Sequence, residues 1–150
     1  MIRSVLAILA GIAALTISSF AIEAVVDALL QHVFPRAFPN RAALGQNMPA
    51  SLLMFAYTAM CVVFGGYVTA WIAKRRPVAH AVIMGGLQVG LTIWAYFSMP
   101  QEAPWRNWII GMVFTIPAAW LGGLVRSHRA LRAALESQGA TRVAGLSSRA

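Results

Sequence analysis

Four long apolar stretches separated by short polar ones dominate the chain. Residues 5–22 are almost wholly apolar after Arg3, and the helical pattern runs on through Glu23 and Asp27 towards Leu30. Residues 50–72 form the cleanest stretch, opened by Pro49 and closed by Lys74, Arg75 and Arg76. Pro77 interrupts the chain, residues 79–99 form a third stretch, and Pro100, Gln101, Glu102 and Pro104 make a polar turn. The fourth runs from Trp108 to Val125 and ends at Arg126. Crossing roughly 30 Å of hydrocarbon takes about 20 apolar residues in a helix, and each stretch is of that order. No water reaches backbone groups there, so they must bond within the chain, which selects helices over open strands. Pro49 suits a first helical turn, where its missing N–H removes no bond. The pattern therefore predicts an all-α, integral membrane four-helix bundle with spans at about 5–30, 50–72, 79–99 and 108–125. It divides the chain into a transmembrane domain, residues 1–125, and a basic cytoplasmic tail, residues 126–150.

Composition reinforces this reading. The chain is 59% hydrophobic and 11% charged, against roughly 45–50% and about 25% in soluble domains. Its 12 Lys and Arg face only 4 Asp and Glu. Such a balance suits nucleic acid only when the cations share a solvated face; here they flank apolar stretches, and no nucleic-acid partner is expected. With the N-terminus inside, the inner side holds Arg3, Lys74, Arg75, Arg76, Arg126, Arg129, Arg132, Arg142 and Arg149, nine of the 12. Arg36, Arg41 and Arg106, the remaining three, fall outside. Short loops rich in Lys and Arg stay in the cytoplasm, so both termini are expected there, in a bacterial inner membrane. Trp71 at the inner end of the second span, and Trp105 and Trp108 at the outer start of the fourth, suit headgroup level. The tail should extend the fourth helix for a few turns before Gly139. Its basic residues should rest on anionic inner-leaflet lipids, each worth about 1 kcal/mol near the surface.

The N-terminal stretch also has the parts of a signal peptide: basic Arg3, apolar residues 5–18, and the small-x-small site Ser19-Phe20-Ala21. Apolar character nevertheless continues through Ile22, Ala24, Val25, Val26, Leu29 and Leu30, longer than an ordinary signal core, which favours an uncleaved first helix.

Several intramembrane features are candidates for packing or function. Gly65 and Gly66 in the second span, and Gly85 and Gly86 in the third, lie at similar distances from the hairpin at 74–77. At 1.5 Å per residue both pairs sit roughly 10 Å in. Gly86 and Gly90 add a small-xxx-small spacing that lets helix backbones approach. The expected role is tight packing of the second span on the third within one chain, with a homodimer seam or a narrow substrate path as the alternatives. Gly122 and Gly123 should pack similarly in the fourth span. The second and fourth spans both follow a proline and carry a double glycine before basic residues, which hints at a parallel repeat of two hairpins.

Thr16, Ser19, Glu23 and Asp27 fall within roughly 80° on the first helix, a polar stripe that should face the bundle. An acid inside a membrane raises a functional hypothesis. From Arg3 to Glu23 is about 30 Å of helix, however, so Glu23 and Asp27 are expected at the outer edge, wet or paired with Arg36, Arg41 or Arg106. Gln88, midway along the third span, should bond Thr16, Ser19 or Thr115 across helices. Pro117 should kink the fourth helix. His32, His80 and His128 are dispersed and Cys61 is the sole cysteine, so neither a metal or haem pair nor an intramolecular disulfide is expected. The loop from Gln31 to Met48 reads as an ordered turn with a short surface segment.

Phe64-Gly65-Gly66-Tyr67-Val68-Thr69-Ala70-Trp71-Ile72-Ala73-Lys74-Arg75-Arg76, with Ile116-Pro117-Ala118-Ala119-Trp120-Leu121-Gly122-Gly123-Leu124-Val125-Arg126, resembles small four-helix inner-membrane proteins of bacteria. The resemblance spans residues from about 1 to 130 and implies the architecture without an activity. Small multidrug-resistance transporters are similar in size, but their essential first-helix glutamate has no match here, since Glu23 lies too far outward. Fluoride channels of this size have dual topology, against the one-sided charge of this chain. No nucleophile motif, zinc-protease motif or phosphate-cradling glycine loop is present. The expectation is a non-enzymatic structural or accessory subunit acting through helix packing, as a homo-oligomer or with a larger membrane partner, and without cofactor. The alternative is an oligomeric small-solute or ion transporter using Glu23, Asp27 and Gln88. The topology is checked by reporter fusions: one after Ala150 should be active only in a cytoplasmic reporter, one at Asn40 only in an external reporter. The opposite pattern contradicts the charge argument.

Overall fold

The computed structural model describes residues 2–73, 76–98 and 104–147, the side chains of 41–42 and 139–147 excepted. Expectations for Lys74, Arg75, the turn at Pro100, Gln101 and Glu102, and Arg149 lie outside these residues, as do those for the side chains of Arg41 and Arg142. Five helices follow in order: α1 (Ile2–Val33), α2 (Arg41–Gln46), α3 (Met48–Ala73), α4 (Pro77–Ser98) and α5 (Trp105–Ser147). The four long ones are long and apolar enough to cross a membrane. The chain is thus an all-α bundle of membrane-type helices.

Residue placement is the reverse of a water-soluble bundle. Ile17, Phe20, Met60, Trp94 and Phe97 point outward and are mostly exposed. Ala7, Ala70, Ala73, Ala81 and Ala119 are buried. Lipid tails are as apolar as leucine, so no hydrophobic force drives large side chains inward, and small residues instead admit close backbone packing. A limited core of Leu15, Val62, Met84, Ala118 and Ala119 forms at mid-depth.

The tightest contacts are glycine contacts, and they join α3 to α1 and α5. A Cβ placed on Gly65 would meet the Gly11 carbonyl at 2.8 Å and Leu15 at 2.9 Å. One on Gly66 would collide with the backbone of Ala119, and one on Gly122 with the Val63 carbonyl and, at 2.8 Å, the Tyr67 nitrogen. The double glycines of the second and fourth spans therefore meet each other. In α4, a Cβ on Gly85 would meet the Ala119 methyl at 2.8 Å, and one on Gly123 of α5 would meet Ala81 and Val78. Of the expected α3–α4 packing, Gly65 also faces Met84 of α4, at 3.3 Å from an added Cβ, whereas a Cβ on Gly86 or Gly90 would meet nothing within 4 Å. Equal depth from the hairpin fixes level but not azimuth, and the azimuths point the closest contacts of α3 elsewhere. Gly11, a lone glycine facing Thr69 and Gly65, joins the packing set.

The ends are tied by polar contacts. Arg3 donates from Nε to the Ile72 carbonyl (3.2 Å), and the Arg129 guanidinium lies 5.8 Å over the Tyr67 ring. These mark the end expected to be cytoplasmic. At the other end Asn40 caps α2, accepting from the Ala43 N–H at 3.0 Å. The last carbonyls of a helix lack internal partners; in α2 those of Ala43 and Leu44 accept from the Asn47 N–H, and the last two are taken by side chains of its neighbours. Gly45 receives Ser51 Oγ and Asn107 Nδ2, both at 2.9 Å, and Gln46 receives Arg106 at 3.3 Å. Fully buried Leu44, with Phe38 and Ala50, packs beneath against Leu30 and Met54. The loop expected between residues 31 and 48 is thus a fixed cap joining α1, α3 and α5.

α5 differs from expectation in length. It passes Pro117, which faces outward, and Gly139 without interruption. Ala130, Leu131, Ala133, Ala134 and Leu135 are strong helix formers, whereas one interior glycine costs only about 1 kcal/mol. No described glycine adopts the positive φ that would close the helix.

Because the groups opposing Gly66 and Gly122 are backbone, they cannot yield as a flexible side chain would. Gly66→Ala and Gly122→Ala should each cost about 1–3 kcal/mol by overpacking, read as a lower unfolding midpoint in detergent. Gly86→Ala and Gly90→Ala should stay within about 0.5 kcal/mol of the parent. Equal losses at all four sites contradict the assignment.

Candidate functional site

Below the α2 cap the helices leave a partly open cavity of about 390 Å³. Leu15 and Val62 of the mid-depth core belong to its lining, with Gly45 and Asn107 at the level of the cap. From Asn107 to Thr115, both lining residues of α5, is eight residues, which is about 12 Å of helix. The volume falls in the range of small-molecule pockets, about 300–1,000 Å³.

The lining gathers most of the polar residues that the apolar spans contain. From α1 come Thr16, Ser19 and Glu23, which a single helical face presents because they recur at three- and four-residue spacing. α3 supplies Tyr57 and Thr58, α4 supplies Gln88 and Thr92, and α5 supplies Asn107, Trp108, Gly111 and Thr115. Apolar walls come from Phe20, Met54 and Phe55. Among the described lining residues Glu23 is the one with a carboxyl group, and it is engaged within the fold.

Several of these groups are satisfied locally. Thr115 Oγ1 donates back to the Gly111 carbonyl at 2.7 Å, and Thr92 Oγ1 to the Gln88 carbonyl at 2.9 Å. Asn107 is held by α2 and by Ser51 (3.4 Å), and Trp108 stacks edge-on with Tyr96 at 5.8 Å. Two atoms stand apart. Ser19 Oγ and Gln88 Oε1 are shielded from solvent and have no hydrogen-bond partner among the described residues. The predicted bridge from Gln88 Oε1 to Thr16, Ser19 or Thr115 is therefore not made. A buried polar atom without a partner costs about 1–3 kcal/mol, a cost the fold carries at both.

The other predicted site residue, Asp27, does not line the cavity. It is 8% exposed and engaged within the fold, so the wet position allowed by depth arithmetic is corrected to a buried one. It sits one turn before Leu30, which packs under the α2 cap; a folded cap, rather than open water, lies beyond this part of α1. Tyr57, Thr58, Thr92, Asn107 and Trp108 are lining residues that reading each span separately did not single out. Their signal is collective: every span carries polar residues at comparable distance from its outer end. Trp108, expected only as an interface anchor, belongs to the wall.

The chain matches no protein-family profile, no curated protein and no solved structure.

Native Cys61 is 2% exposed and provides an internal control for access. A cysteine at Thr16, on the lining and half-buried, should react with a small hydrophilic methanethiosulfonate at least about tenfold faster than Cys61, because thiolate reactivity follows exposure. Equal rates contradict a water-accessible cavity.

Proposed function

We propose that the protein is a small-solute transporter of the bacterial inner membrane, with cytoplasmic termini, in the conformation whose chamber faces the α2 side. One observation carries the reading: hydrogen-bonding side chains from all four spanning helices converge on one cavity, with Ser19 Oγ and Gln88 Oε1 unpartnered. Polar residues in a membrane interior are costly and face a bundle core or a water-filled path. A purely structural bundle gains nothing by leaving two such atoms without partners. The glycine contacts beyond the chamber floor serve as the closed gate. Backbones held only by van der Waals contact can re-pack with little penalty, as alternating access around a midplane site requires. The basic end, including Arg126, Arg129 and Arg132, rests on anionic lipid of the inner leaflet and fixes the orientation.

A second reading, an accessory or homo-oligomeric subunit without transport, draws on α4. Gly86 and Gly90 lie on its surface with open space beside them, a face that would accept another helix.

The two separate in proteoliposomes. Swelling driven by methylammonium acetate, glycerol, glycine or urea should be faster than in protein-free vesicles for at least one solute. Gln88→Trp, which fills the chamber, should remove the difference while leaving the unfolding midpoint nearly unchanged. Parent and Gln88→Trp vesicles that both match protein-free ones, for a protein that cross-links into a defined oligomer, would favour the subunit reading.

A further inference from the structure

Resting on the chamber reading, we infer that the chamber opens sideways between α1 and α4 and takes an uncharged single-chain amphiphile from the surrounding leaflet. Most of its boundary is closed. The core of Leu15, Val62 and Met84 lies beneath it. α3 packs closely along α1 and α5, and α5 along α4, whereas α1 meets α4 sparsely. Towards the cap, α2 is seated on α1 and α3 and bonded to α3 and α5, and the α4–α5 corner is closed by the edge-on contact of Tyr96 with Trp108. What is left is the seam between α1 and α4.

Phe20 marks that seam. It lines the chamber, yet it is 65% exposed. It lies nine residues from Gly11, about half a turn round the helix at 100° per residue. It therefore points away from the α3 contact that Gly11 makes, and it can border the chamber only where the space runs out past α1 on the α4 side. Seven residues further on, the same face carries Asp27, which is buried, so the opening is bounded towards the cap. From Arg3 to Phe20 is 17 residues, about 26 Å of helix, still inside roughly 30 Å of hydrocarbon. The opening faces lipid tails rather than water.

Depth and lining select what can enter. A charged head is not drawn down to the level of the tails, because burying an unpaired ion costs far more than burying a hydroxyl. Thr16 and Thr58 offer hydroxyls on accessible side chains of the lining. Thr58 is exposed although it lies seven residues before Gly65, on the face of α3 that meets α1 further down. A hydroxyl donates one bond and accepts two, which matches a hydroxyl or carbonyl head. Phe20, Phe55, Met54 and Leu15 provide apolar surface for a hydrocarbon chain. At about 390 Å³ the space is at the small end of ligand pockets, which suits one chain.

The test uses the full chain in zwitterionic-lipid nanodiscs and probes with a photoreactive diazirine in the hydrocarbon chain, the labelled residues being read by mass spectrometry. The probes are decan-1-ol, decane-1-sulfonate, decylammonium and a phosphatidylcholine whose head stays at the bilayer surface. Decanol should label Thr16 and Thr58, and excess unlabelled decanol should cut that labelling at least about fivefold by mass action. Labelling of outward-facing Phe114 should not change, because bulk lipid does not saturate. The sulfonate and the ammonium should leave both threonines unlabelled. The phosphatidylcholine chain should reach Thr58 as well, since its anchored head leaves the side opening as the route. Displaceable decanol labelling with none from phosphatidylcholine overturns the side opening. Labelling by sulfonate or ammonium as strong as by decanol overturns the uncharged head, and decanol labelling that excess decanol does not displace overturns the site. If no probe reaches either threonine while a Thr16→Cys thiol reacts with the hydrophilic methanethiosulfonate, the inference fails alone. If that thiol is inert as well, the chamber reading fails with it.

Discussion

Backbone-to-backbone contact of α3 with α1 and α5, at Gly11, Gly65, Gly66 and Gly122, is the constraint on which the rest of the bundle depends. In lipid there is no hydrophobic gain from burying large side chains between helices, so association rests on how closely backbones approach. Removing side chains at the crossing permits that approach, and it also fixes where the helices are closest. Packed helices that cross at an angle diverge away from the crossing, so a tight contact and an open chamber can follow from one geometry. The chamber lies on the side of the crossing where Thr16, Ser19, Tyr57, Gln88 and Thr115 replace glycine and alanine.

The α2 cap keeps that wedge from collapsing. Its exposed carbonyls receive Ser51, Arg106 and Asn107, while Leu44 seats it on the apolar floor formed with Phe38 and Ala50. Thus α3 and α5 are tied to each other and to α2 at the capped end by hydrogen bonds, and to each other at the opposite end by glycine contacts. Arg3 and Arg129 make their contacts at the helix ends and leave the interior to packing.

Much of this was legible in the sequence, and the illegible part has a definite physical cause. Hydropathy located the spans closely: the second was expected at 50–72 and forms Met48–Ala73, the third at 79–99 and forms Pro77–Ser98. The stripe of Thr16, Ser19 and Glu23 was legible because one helix's periodicity determines it, and all three residues line the chamber. Partner choice was not. Depth arithmetic put Gly65–Gly66 level with Gly85–Gly86, but rotation about the helix axis decides which neighbour a glycine meets, and α3 turns its glycines to α1 and α5. Gly86 and Gly90 were read as packing residues and instead face outward, while isolated Gly11 was overlooked. Gln88 was read as a bridge because a mid-membrane amide usually finds a partner. Its carbonyl oxygen is shielded from solvent yet has no hydrogen-bond partner among the described residues.

The central claim is that crossing, and magic-angle-spinning NMR of the protein in lipid bilayers, with ¹³C-labelled glycine and alanine, observes it directly. Through-space cross-peaks are expected from Gly66 to Ala119 and from Gly66 to Gly122, with none from Gly86 to any residue of α3. Cross-peaks joining Gly86 to Gly65 or Gly66, with the Ala119 and Gly122 contacts missing, would contradict the account.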